Sequence, residues 1–117
     1  GYAYLGESNR VSGSGYQTVT IPSSATVTLS FWLNVTSSET TTSRQYDKLY
    51  VEVRSTSGSL KKRLATYSNL NKGAAGAYSK KSFSVSAYKG QTVRIQFRVT
   101  TDSSLGTTFR VDDVSLQ

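Results

Sequence analysis

The stretch Val27-Thr28-Leu29-Ser30-Phe31-Trp32-Leu33-Asn34-Val35 alternates from residue to residue, with Leu29, Phe31, Leu33 and Val35 on one parity. A second stretch, Val93-Arg94-Ile95-Gln96-Phe97-Arg98-Val99, repeats the pattern. A period of two is the signature of a β-strand with one face in a core and the other turned to water. In Lys48–Arg54, Leu49, Val51 and Val53 take the inward parity, leaving Tyr50, Glu52 and Arg54 outward. No segment shows helical periodicity. The outward set therefore holds Trp32, Tyr50, Arg54, Arg94, Gln96 and Arg98.

Working outward, the strands expected are Tyr2–Leu5, Tyr16–Ile21, Ala25–Val35, Lys48–Arg54, Lys61–Ser68, Ala77–Val85, Thr92–Thr100 and Thr107–Leu116. Pro22 stops the second, and Ser57-Gly58-Ser59 turns the fourth into the fifth. The last strand contains a parity slip. Phe109 and Val111 share one parity, while Val114 and Leu116 share the other. A β-bulge at Asp112-Asp113 lets all four face inward. About eight short strands with turn signals between them predict one all-β domain over residues 1–117. Its form is an antiparallel β-sandwich of the jelly-roll, galactose-binding-domain-like type.

The chain has 117 residues, and 36% are hydrophobic. Fourteen basic residues against seven acidic ones give a net charge of +7. A basic balance suits acidic polymers, and it also keeps a protein soluble. There is no cysteine, so no disulfide or thiolate metal site forms. No apolar run approaches the ~18–20 residues of a membrane span. There is no histidine, which removes the Ser-His-Asp triad and the usual imidazole base. No motif positions a Ser–Lys dyad, and adjacent Asp112 and Asp113 suit paired acid–base work poorly. The residues point to a binding surface and to no enzyme. The opening at Gly1 reads as that of an excised domain.

Five passages carry a family resemblance. Ser86-Ala87-Tyr88-Lys89-Gly90-Gln91-Thr92-Val93-Arg94-Ile95-Gln96-Phe97 and Phe109-Arg110-Val111-Asp112-Asp113-Val114-Ser115-Leu116 resemble the closing strands of bacterial jelly-roll accessory domains. Gly1-Tyr2-Ala3-Tyr4-Leu5-Gly6, Gln17-Thr18-Val19-Thr20-Ile21-Pro22 and Leu29-Ser30-Phe31-Trp32-Leu33 look like their opening ones. Such domains are similar to carbohydrate-binding modules and MAM-like domains. They are appended to secreted peptidases and glycoside hydrolases, so the resemblance implies a secreted, extracellular setting and a covalently linked catalytic domain. It also implies a structural calcium with Asp112 as ligand. Glu39 and Asp102 are further candidate ligands, because they fall in expected loops that can close on one end of the sandwich. The competing reading pairs these acids with basic side chains.

The expected ligand face gathers Trp32, Tyr50, Arg94, Gln96 and Arg98. Aromatic rings stack on sugar faces, and Arg and Gln orient hydroxyls. Polysaccharide is the leading partner, bound by a monomer that targets a hydrolase to its substrate. The alternatives are a peptidase-appended domain that contacts protein, such as collagen or its own catalytic domain, and electrostatic binding to acidic cell-wall polymer. Lys61-Lys62-Arg63 and Lys80-Lys81, with Lys72 and Lys89, fit a cationic rim or the protection of sheet edges. No nucleic-acid motif is present. Asn34-Val35-Thr36 matches a glycosylation sequon, but it falls within a strand.

Overall fold

Odd-numbered residues of Thr28–Ser37, Lys48–Arg54 and Thr92–Thr100 meet between two stacked antiparallel sheets. A computed structural model describes residues 3–6, 9–11, 14–23, 26–37, 47–74, 76–100 and 107–117. Its strands are β1 (Ala3–Gly6), β2 (Asn9–Val11), β3 (Ser14–Thr20), β4 (Thr28–Ser37), β5 (Lys48–Arg54), β6 (Leu60–Ser68), β7 (Ser79–Ser84), β8 (Thr92–Thr100) and β9 (Thr107–Leu116). One sheet runs β1-β9-β4-β7, with β2 also pairing β9; the other runs β3-β8-β5-β6. Every pairing is antiparallel. This is the jelly-roll sandwich that the alternation predicts. The addition is β2, which is too short and polar to show a period of its own.

The core sits where the inner faces meet. Leu29, Phe31, Leu33 and Val35 of β4 are buried against Leu49, Val51 and Val53 of β5 and Val93 and Ile95 of β8. Phe31 bridges the sheets: its ring meets Phe97 of β8 edge-on at 5.4 Å. It also lies 6.1 Å from Phe83 of β7. Removing apolar area of this kind from water is the main favourable term in folding.

The bulge is present. Trp32 pairs with Asp112 and Ser30 with Ser115, so Asp113 and Val114 together oppose Phe31. Asp113 takes φ 50°, the left-handed region, which short polar side chains tolerate better than branched ones. The extra residue resets parity, and Phe109, Val111, Val114 and Leu116 are all buried.

The outer strands carry the lysines. β6 and β7 are edge strands, and Lys61, Lys62 and Lys80 are exposed on them. Charged edges discourage pairing with another chain. Lys81 of β7 reaches across the sandwich to within 5.4 Å of the Tyr67 ring of β6. Burial pushes the Tyr67 hydroxyl pKa up. No described helix is long and apolar enough to cross a membrane.

The bulge yields a test. Asp113→Val places a β-branched residue at positive φ and is expected to lower unfolding free energy by about 1–2 kcal/mol in urea titration. Asp113→Asn is expected to stay within about 0.5 kcal/mol of the parent.

Candidate functional site

Parity turns all five expected ligand residues outward, but strand order divides them between two faces. Trp32 stands on β4, in the five-stranded sheet. Tyr50 on β5 and Arg94, Gln96 and Arg98 on β8 stand on the opposite side of the sandwich. The indole cannot share a ligand subsite with the other four.

On the four-stranded sheet, register lays the outward residues in rows. Tyr16 of β3, Gln96 of β8, Glu52 of β5 and Arg63 of β6 form the middle row. Arg98, Tyr50 and Thr66 form the row on one side; Thr18, Arg94, Arg54 and Leu60 form the row on the other. Glu52 is fully buried. Three guanidinium groups close over its carboxylate: Arg54 Nη2 at 2.8 Å, Arg63 Nε at 3.1 Å and Arg98 Nη2 at 3.3 Å. Arg54 Nε adds a hydrogen bond to Glu52 Oε1 at 3.0 Å, and Arg54 Nη1 donates to the Gly58 carbonyl at 2.9 Å. The β5–β6 turn is thereby tied to the same cluster. Gly58 sits at φ 96°, where a side chain is strained.

Burial alone would raise the Glu52 pKa. The hydrogen bonds from Arg98, Arg54 and Arg63, joined by the Arg98 charge, outweigh it and hold the carboxyl at about 2 rather than the ordinary 4.5.

The aromatic rings here are already engaged. The Arg63 guanidinium lies 4.4 Å from the centre of the Tyr50 ring, and that of Arg98 lies 4.3 Å from it. They come from strands on opposite sides of β5. The sugar-stacking role expected of Tyr50 therefore meets a ring whose surface is occupied by cations. Tyr16 is different. Arg94 stacks on it at 4.2 Å, yet the residue is 54% exposed. Outward parity on β3 is the sequence signal for Tyr16. The sequence signal for Arg63 was its place in a basic run, which reads equally well as edge charge.

The five-stranded face is sparser. Trp32 is 39% exposed. Asp112 lies across from it on β9, and Lys80 across from it on β7. Arg110 follows two residues along β9, paired with Asn34. Asn34 itself is buried; its amide donates to the carbonyls of Ala74 and Ala77 and accepts from Gly76 N–H. It is a loop clamp, and its side-chain nitrogen is not open to a glycan.

Of the expected calcium ligands, Glu39 and Asp102 lie outside the described residues. Asp112 supplies a single carboxylate to the five-stranded face. Calcium takes about 6–8 oxygens, and the described residues contain no group of three or more carboxylate, His or Cys side chains that could hold a metal. An open cavity of about 110 Å³, lined by Leu33, Val35, Tyr67 and Lys81 among others, lies between the edge strands. It is smaller than the ~300 Å³ at which ligand pockets begin.

No protein-family model matches the chain, and no curated protein matches it. The chain is similar in structure to TmCBM61, a carbohydrate-binding module solved in complex with β-1,4-galactotriose. The TM-score is 0.57 at 15% sequence identity, covering 99% of this chain and 68% of the other. The likeness confirms the β-sandwich fold.

The Glu52 cluster predicts an acid limb in stability. A carboxyl whose folded pKa lies below its unfolded one stabilises the fold above the unfolded value. That contribution is lost as pH falls through the folded value. Urea midpoints are expected to decline between pH ~4.5 and ~2, with Glu52 accounting for about 3 kcal/mol of the loss. Glu52→Gln should remove this share of the pH dependence and cost about 3 kcal/mol or more at pH 7, because three guanidinium groups lose their counter-ion.

Proposed function

We propose that the protein is a non-catalytic carbohydrate-binding module and that Trp32 is its stacking platform. The observation that carries this reading is the exposed indole on a central strand, flanked by Asp112 on one neighbouring strand and Lys80 on the other. The outer face of the five-stranded sheet presents the indole to a chain of sugar rings. The apolar face of a pyranose covers it, while Asp112, Arg110 and Lys80 are placed to meet hydroxyls. The sandwich shared with a galactotriose-binding module supports the class of ligand. The absence of histidine and cysteine from the chain supports a role without chemistry.

The setting we propose is extracellular, with the module joined to a hydrolase that it holds near polysaccharide. Such a tether raises effective concentration without adding a catalytic group.

The test is retention on insoluble β-1,4-galactan, chitin, cellulose, xylan and mannan. At least one matrix is expected to hold the intact domain. Trp32→Ala should weaken that binding tenfold or more, about 1.4 kcal/mol. Failure of every glycan to retain the folded domain removes the proposal.

Calcium is proposed separately, with Asp112, Glu39 and Asp102 as ligands. An ion bound only to the native state raises the melting temperature. Chelator is therefore expected to lower it, and an unchanged melting curve contradicts a tightly held ion.

A further inference from the structure

We infer that the outer face of the four-stranded sheet is a second binding site, one that takes the carboxylates of a uronate-bearing polysaccharide. The glycan-binding reading supplies the class of polymer; the arginines supply its charge.

Arg54, Arg63, Arg94 and Arg98 project from this face, and among the described residues Glu52 is the one carboxylate in its ion pairs. The cluster thus carries a surplus of three positive charges. One carboxylate is satisfied by two forked guanidinium groups, so three converging on Glu52 exceed its need. Arg94 has no acidic partner among the described residues, and its buried Nε has no hydrogen-bond partner. It also stands directly across from Arg54. Like charges opposite one another on a sheet destabilise it. A bound anion relieves that repulsion.

The arginines are also held ready for a ligand. Arg63 and Arg98 are pinned on the two sides of Tyr50 by its ring and by Glu52. Arg94 is laid on Tyr16. Immobilised side chains lose little further entropy when they bind. Their outer edges remain open: the side chains of Arg63, Arg98 and Arg54 are 44%, 29% and 20% exposed. Guanidinium forks match carboxylates in a bidentate geometry that lysine cannot reproduce. Glu52 shows the same arginines already engaging a carboxylate. The exposed Tyr16 ring beside Arg94 offers the apolar surface that a sugar needs and that a bare anion does not. These features favour an acidic polysaccharide over nucleic acid, for which the face lacks a row of open aromatic rings.

The test is affinity electrophoresis and calorimetry at low salt with polygalacturonate, the same polymer after carboxyl reduction, dextran sulfate and single-stranded DNA. The intact domain is expected to bind polygalacturonate and to lose at least tenfold in affinity for the reduced polymer. Arg94→Gln, which leaves the Glu52 pairs untouched, should weaken uronate binding at least fivefold. Arg63→Lys, which keeps the charge and removes the fork, should also weaken it. Lys89→Ala, which removes an equal charge from the turn before β8, should not. Circular dichroism of each variant confirms that it folds. Equal affinity for dextran sulfate or DNA, or equal losses in Lys89→Ala and Arg94→Gln, overturns the inference in favour of general electrostatics. Retention on a neutral glycan through Trp32 without any uronate binding overturns it and leaves the proposed function standing.

Discussion

A carboxylate taken wholly out of water on the outer side of a sheet has to be matched by cations, and Glu52 imposes that demand on everything around it. Glu52 lies on β5, a strand hydrogen-bonded on both sides, so its partners arrive from both neighbours: Arg98 from β8 and Arg63 from β6. Arg54 reaches back along β5 itself and fastens the turn through Gly58. Arg63 and Arg98 also enclose Tyr50. Removing one member strands the others, because an uncompensated buried charge costs more than a surface pair contributes. A replacement by well-packed apolar residues could hold the sheet equally well. What the ionic cluster adds is a polar surface with fixed side chains and excess positive charge.

The sandwich separates this chemistry from the indole. Antiparallel strands with one buried face give each sheet a single outward surface, and the two surfaces never meet across the core. Trp32 faces one way, with Asp112 and Lys80 beside it; Arg54, Arg63, Arg94, Arg98, Tyr16 and Tyr50 face the other. The chain thus presents two surfaces of different character. One is suited to stacking and the other to charge.

The inward positions were legible in the sequence because burial is written locally. Leu29-Ser30-Phe31-Trp32-Leu33 states which residues face the core whatever pairs beside it, and the slip between Val111 and Val114 required an inserted residue. The sheet to which each strand belongs was not legible. That depends on partners far apart in the chain, such as Thr28–Ser37 against Thr107–Leu116. Parity placed Trp32 and Tyr50 both outward, which is correct, and could not say that outward meant opposite directions. For the same reason the stacking of two guanidinium groups on Tyr50 was invisible: one comes from β6 and one from β8, and neither is a sequence neighbour. The role of Asn34 as a clamp on Ala74, Gly76 and Ala77 was hidden likewise. Asn9–Val11 escaped notice because three residues carry no period.

The ordered cationic face depends on the electrostatic state of one group. Selective ¹³C labelling of glutamate and NMR titration of the Glu52 side-chain carboxyl measures it directly. A midpoint near pH 2 is the result expected for a carboxylate held by three arginines. A midpoint near the ordinary 4.5 would mean that the cluster does not exist in solution, and the ordered cationic face would go with it.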